Sequence, residues 1–178
     1  MIIIMWQDFS IFQNKTALRF DRGDVIFRSD SKVAKIFLVS TGQAALIRTL
    51  MSGQQAILQR ASTGQIIAEA SLYVQRYHCD CVAMEPTELV SIPRQEFLDA
   101  LRSDPQLSEA WASYLAHGVQ QARLRAEIRS MKTVSERLDA WIAEYHEIPV
   151  KGKWQDLADE LSVSREALYR ELAKRRVL

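Results

Sequence analysis

The segment LSVSREALYREL, residues 161–172, sets Arg165, Glu166 and Arg170 among alanine, leucine and tyrosine. Wound as a helix with Leu168 and Leu172 facing inward, it leaves Arg165, Glu166, Tyr169, Arg170 and Ala173 outside, with 166, 169, 170 and 173 spaced as one stripe. Such a stripe can do recognition chemistry. Arginine offers paired donors to guanine O6 and N7, and glutamate accepts from cytosine N4. Ser164 stands at the helix start, where a hydroxyl can cap free amides or hold a phosphate. Lys174, Arg175 and Arg176 follow as cations for a phosphate backbone. On the stripe alone, a solvated helix face explains these residues equally well.

The surrounding pattern is more specific. WQDLADEL, SVS and REALYRELA read as two short helices about a tight turn, and Leu157, Ala158, Leu161, Val163, Leu168 and Leu172 form one apolar set that locks the pair. Before them, residues 134–145 predict an amphipathic helix with Leu138, Trp141, Ile142 and Tyr145 on one face, broken by Pro149 and Gly152.

A much longer helix is expected upstream, after a shorter helical run containing FLDAL. Asp104 can cap it and Pro105 can take its first position. Leu107, Trp111, Leu115, Val119 and Ala122 then step by four, four, four and three through a run that reaches Met131. Twenty-five such residues extend about 37 Å, longer than a small β domain needs as cover. The expectation is that Trp111, Leu115, Val119 and Ala122 pair with the same helix of a second copy.

From Asp24 to about Ile92 the period changes to that of strands: DVIFR, AKIFLVS, QAALIRTL, QQAILQR, QIIAEA, YHCDCVA and TELVSI. Gly23, Gly42, Gly53 and Gly64 fall at the joints, and Gly53 is a plausible hairpin tip. This spacing predicts an antiparallel sandwich, barrel or roll.

Composition bounds the function. With 178 residues, 48% of them apolar, the chain can build one large domain or two small ones, and 23 basic against 22 acidic side chains give no bulk nucleic-acid signal. The opening MIIIMW lacks a basic flank and is far too short to span a bilayer, so a cytoplasmic location without a membrane partner is expected. Cys79 and Cys81 are too close for a structural disulfide and read as reduced thiols. On a strand they face away from His78 and Asp80, so these four consecutive residues cannot wrap one ion, and no metal is expected. No nucleophile with its base and no phosphate-cradling glycine loop points to an enzyme.

Taken together, GDVIF, IFLVSTGQAAL, TGQIIAEASLY and AMEPTELVSIPRQEF resemble the β-roll of the Crp/Fnr family of bacterial transcription regulators, relatives of the cyclic-AMP receptor protein. Residues 104–131 resemble that family's dimerisation helix, and WQDLADELSVSREALYREL its helix-turn-helix. The resemblance implies an α+β fold: a β-roll effector domain over 1–103, a long dimerisation helix over 104–131 and a DNA-binding domain over 132–178. It further implies that Ser164, Arg165, Glu166, Tyr169, Arg170 and Lys174 meet DNA, at a palindromic site with half-sites resembling TGTGA. RNA polymerase is a further partner of such regulators. Two departures stand out. The family's β-hairpin wing is expected to be short or missing, since the sequence stops at RRVL, and Tyr169 is much bulkier than the glycine common at its position.

By the same resemblance the effector pocket draws on Glu69, Ala70, Ser71, Arg76, Tyr77, His78, Ala122 and Arg123. Glu69 keeps the family's ribose contact. The arginine and serine that hold a cyclic phosphate are not kept, because Tyr77 and His78 stand nearest to them, with Arg76 one position away. A phosphodiester buried without a cation is costly, so an effector other than cyclic AMP, or none, is the expectation. The rival from another class is a ligand-binding regulatory or scaffold module that uses its C-terminal helices for protein contact.

Overall fold

In a computed structural model, which describes residues 6, 9–49, 51 and 55–175, the strand-like runs form two four-stranded antiparallel sheets. The strands are β1 (Ala17–Phe20), β2 (Val25–Phe27), β3 (Lys35–Thr41), β4 (Gln43–Thr49), β5 (Gln55–Ser62), β6 (Ile66–Ile67), β7 (Asp80–Ala83) and β8 (Thr87–Pro93). One sheet has the order β1-β8-β3-β6 and the other β2-β7-β4-β5. In β3 both faces are covered. Phe37 and Val39 point between the sheets, while Ile36 and Leu38 pack under the helices that follow, so the run IFLV is apolar at every position.

Three details differ from the sequence pattern. β1 precedes the expected first strand; its four half-exposed to exposed residues alternate over too short a run to stand out. QIIAEA stays extended only through Ile67, because Ala68 takes a left-handed conformation (φ 60°) and turns the chain into a 3-10 segment, Glu69–Tyr73. YHCDCVA enters the sheet only at Asp80. The tip expected at Gly53 lies outside the described residues. At Gly42, φ is +84° and a Cβ would sit 2.4 Å from the Pro86 carbonyl oxygen, so both backbone and space demand glycine.

Helix α1 (Arg94–Ser103) is followed by the 26-residue α2 (Pro105–Ser130). Asp104 Oδ1 accepts from the amides of Gln106 (2.9 Å) and Leu107 (3.1 Å), the N-terminal cap that the sequence places there. The chain separates into two units, Met1–Leu115 and Ala116–Leu178, and the division falls inside α2.

In the first unit, the start of α2 completes the core beneath the β1-β8-β3-β6 sheet. Leu107 and Trp111 are buried with Trp6, Phe12, Phe97 and Leu101. Trp111 meets Phe97 edge-on at 5.0 Å and is 3% exposed. This corrects its assignment to a dimer seam: the indole is covered by its own domain. Tyr114 hydroxyl donates to the Ile66 carbonyl and accepts from the Ile66 amide, tying α2 to β6.

In the second unit, α3 (Val134–Tyr145), α4 (Trp154–Leu161) and α5 (Arg165–Lys174) surround Ile128, Leu138, Leu157, Ala158, Leu161, Leu168 and Leu172, all nearly inaccessible. Thr133 and Glu136 close a capping box at the start of α3, which holds the Glu136 carboxyl below its ordinary range. No helix among the described residues is long and apolar enough to cross a membrane.

Candidate nucleic-acid interface

Helix α5 is anchored from beneath. Leu168 and Leu172 are 0% exposed, while Glu166 and Arg170 are exposed on the opposite side and Arg165 is exposed as the first residue of the helix. Ser164 caps the helix, its Oγ accepting from the Ala167 amide at 3.2 Å. The Glu166 carboxyl is held below its usual range by its own backbone amide and the Ser164 hydroxyl, with Arg165 and Arg170 adding to the effect. It is therefore ionised at neutral pH and is an acceptor only. Arg170 forms no hydrogen bond among the described residues, and Lys174 is exposed with its Nζ 3.6 Å from Glu171. The protruding surface is thus two arginines and one carboxylate from the helix start to its middle, with one lysine at its C-terminal end.

Tyr169 does not lie free on this stripe. Its ring is half-buried against Trp154, edge-on at 4.9 Å, and its hydroxyl accepts from Arg165 Nη2 at 3.2 Å. Arg175, grouped with the outward cations by its place in the sequence, turns inward instead. Its Nε donates to Glu171 Oε1 at 2.9 Å, one Nη to Asp139 and the other to Ser135 Oγ at 2.7 Å. Acceptors on three residues outcompete solvent for one guanidinium, and both carboxyls are pulled below their usual range mainly by the hydrogen bond from Arg175. Arg176 lies outside the described residues.

Two arginines that local pattern did not single out place the helix pair. Arg137 on α3 donates through Nε to the Met131 carbonyl (2.9 Å) and through Nη1 to those of Leu161 (3.0 Å) and Ser162 (2.9 Å), at the end of α4. Arg129 near the end of α2 donates to the Glu160 carbonyl at 3.3 Å. The last carbonyls of a helix lack intrahelical partners and carry the negative end of its dipole, so cations settle there. The partners at the end of α4 are 24 to 31 residues away, too distant for helical periodicity to reveal.

In the roll, Glu69 accepts from the Gln59 side-chain amide at 3.3 and 3.2 Å, Ala70 is exposed beside it, and Ser71 is buried. Tyr77 is a core residue. It stacks on Phe27 with centroids 3.7 Å apart, and its hydroxyl donates to the Lys35 carbonyl at 3.0 Å. Burial pushes its phenol up to about 12. His78 faces out, and Arg76 is exposed and engaged with Asp30 through both carbonyl and carboxylate. Cys79 and Cys81 are buried free thiols, and burial raises both. On α2, Leu115 is half-buried, whereas Val119, Ala122 and Arg123 are exposed.

Residues 17–104 match the cyclic nucleotide-binding domain family. The cyclic AMP receptor protein of Thermus thermophilus is 28% identical over 130 residues, which is 72% of this chain and 59% of that relative. The match thus spans about three fifths of the relative's length. Among solved structures, FixK2 of Bradyrhizobium japonicum superposes with a TM-score of 0.75 at 18% identity, over 92% of this chain and 85% of that one. The c-di-GMP responsive global regulator CLP of Xanthomonas campestris gives 0.69 at 16% identity, over 93% and 88%. The first unit is therefore a β-roll of the cyclic nucleotide-binding type. The chain is thus similar to the cyclic AMP receptor protein over this stretch, in line with the resemblance to the Crp/Fnr family that its motifs carry.

The roll does not fit a cyclic nucleotide in the way the family resemblance requires. Tyr77, at the position nearest the phosphate-binding arginine, is stacked into the core with its hydroxyl committed to Lys35. Arg76, the cation next to it in the sequence, is bound to Asp30. A phosphodiester needs a fixed cation to offset its desolvation, and neither residue supplies it.

Proposed function

We propose that this chain is a cytoplasmic, homodimeric regulator that binds DNA in a sequence-specific manner. The observation that carries this reading is the exposure of Arg165, Glu166 and Arg170 on α5 above the buried Leu168 and Leu172, with Arg165 and Glu166 at a helix start capped by Ser164. Such a surface can enter a major groove, with the arginines forking guanine and the carboxylate meeting cytosine. Ser164 and Lys174 then serve phosphates, which position the helix without reading sequence.

Leu115, Val119 and Ala122 are the remaining apolar seam of α2, and pairing with a second copy would cover them. Two such chains place two reading helices on a two-fold symmetric site, and the family resemblance suggests half-sites like TGTGA one helical turn apart. We assign 1–103 to effector sensing, 104–131 to dimerisation and 132–178 to DNA binding, with RNA polymerase as a further partner. The protein is a binding protein rather than an enzyme. Its roll senses an effector other than cyclic AMP around Glu69, Ala70 and Ser71, or works with none.

Selection of bound duplexes from a random pool, repeated with added small molecules, tests the reading. A palindromic product supports a dimeric DNA reader. A pool without enrichment overturns it and favours a scaffold whose C-terminal helices bind protein.

A further inference from the structure

Arg165 and Arg170 are both exposed on α5, yet their surroundings differ. The Arg165 guanidinium carbon lies 5.2 Å from the centroid of the Tyr169 ring, and its Nη2 donates to the phenol oxygen at 3.2 Å. Tyr169 is itself fixed from below. Its ring meets Trp154 at 4.9 Å with an interplanar angle of 78°, and the Trp154 indole N–H donates to the Pro149 carbonyl at 2.8 Å. Trp154 is 5% exposed and belongs to the core of the unit. Rigidity therefore passes from the core through two aromatic rings to one guanidinium, while Arg170 has no comparable brace among the described residues.

We infer that Tyr169 is a specificity-determining residue that acts through Arg165, so that the pair works as one recognition element for guanine. This rests on the DNA-binding reading above. The physical basis is preorganisation: an arginine side chain carries about 2 kcal/mol of rotamer entropy, and one already held needs less ordering when it meets a base. The phenol oxygen accepts from Arg165 and so keeps its own O–H to donate. The composite surface then consists of N–H and O–H donors only. Its complement in the major groove is an edge rich in acceptors, and guanine, with O6 and N7, presents two. Residues four apart share a helix face, which lets 165 and 169 act on one base pair or its immediate neighbour.

The test compares duplexes selected by the wild-type chain with those selected by Arg165→Ala, Arg170→Ala and Tyr169→Phe. Phenylalanine keeps the ring and its contact with Trp154 and removes only the hydroxyl. The base pair whose preference disappears in Arg165→Ala identifies the position read by the pair. There, Tyr169→Phe is expected to relax the guanine preference roughly fivefold, the factor that one ordinary hydrogen bond supplies. Preferences lost in Arg170→Ala stay intact, and the unfolding temperature does not move. Retention of the guanine preference by Tyr169→Phe would overturn the inference, and so would a uniform weakening at every position. A wild-type pool without enrichment removes the DNA reading and this inference together, whereas enrichment by the wild type with an unchanged Tyr169→Phe profile removes only the inference.

Discussion

Arg137→Ala should release the turn between α4 and α5 from its support. The guanidinium makes three hydrogen bonds of 2.9 to 3.0 Å, to the carbonyls of Met131, Leu161 and Ser162. Hydrogen bonds to a charged group contribute about 1.5–3 kcal/mol each when well shielded. Arg137 is half-buried, so roughly 1 kcal/mol per bond is the better figure after screening by solvent. The sum is about 3 kcal/mol, a large part of the stability of an ordinary small domain. Urea unfolding followed by tryptophan fluorescence measures it, because Trp141 and Trp154 lie in the affected unit. Arg137→Lys should recover only about a third of the loss, since one ammonium cannot span three divergent carbonyls. A loss below about 0.5 kcal/mol for Arg137→Ala, the range of a neutral surface change, would refute the bracing role.

Three further outcomes follow from the geometry. Arg175 depresses the carboxyls of Glu171 and Asp139, so these groups stabilise the folded state when ionised. That contribution is complete above the unfolded values of about 4 and is lost as pH falls through the lower folded values. Arg175→Ala should flatten the acid limb of a stability-against-pH curve and leave less stability at neutral pH. Gly42→Ala should destabilise the roll by at least about 2 kcal/mol, because the added carbon would sit 2.4 Å from a backbone oxygen at a positive φ, as thermal unfolding would record. Cyclic AMP at millimolar concentration should leave the unfolding temperature of the roll unchanged, since a ligand that binds the native state raises it by mass action. A rise of several degrees would show that another cation takes the place of the missing arginine.

Much of the architecture is written in local pattern. Asp104 and Pro105 mark the start of α2, Ser164 marks that of α5, and the leucines at 157, 161, 168 and 172 define the packed side of the helix pair. What local pattern cannot do is say which surface covers an apolar stripe. Leu107, Trp111, Leu115, Val119 and Ala122 make one continuous seam by spacing, but Leu107 and Trp111 are covered by the roll itself and Val119 is exposed. β1 has only four residues, too few for alternation to mark a strand. The break after Ile67 depends on a left-handed alanine, a conformation its residue type disfavours.

The candidate site shows the same division. Glu166 and Arg170, four apart, share a side by spacing alone, whereas Arg165 is exposed because it opens the helix. Arg175 follows the same run of cations, yet acceptors on three residues of α3 and α5 draw it inward. Tyr77 likewise reads as a pocket residue until Phe27, fifty positions earlier, supplies its stacking partner. In each case the deciding contact comes from another element, beyond the reach of a helical or strand period.

The central claim is that the outer side of α5 distinguishes one base sequence from another, and Arg170→Ala addresses it most directly. At one fixed salt concentration, affinities for the selected duplex and for a scrambled duplex are measured side by side. Loss of one bidentate contact should lower affinity for the selected duplex about 10- to 100-fold and leave the scrambled duplex nearly unaffected. Equal affinities for the two duplexes in the wild-type protein, or an unchanged ratio in the variant, would contradict the account.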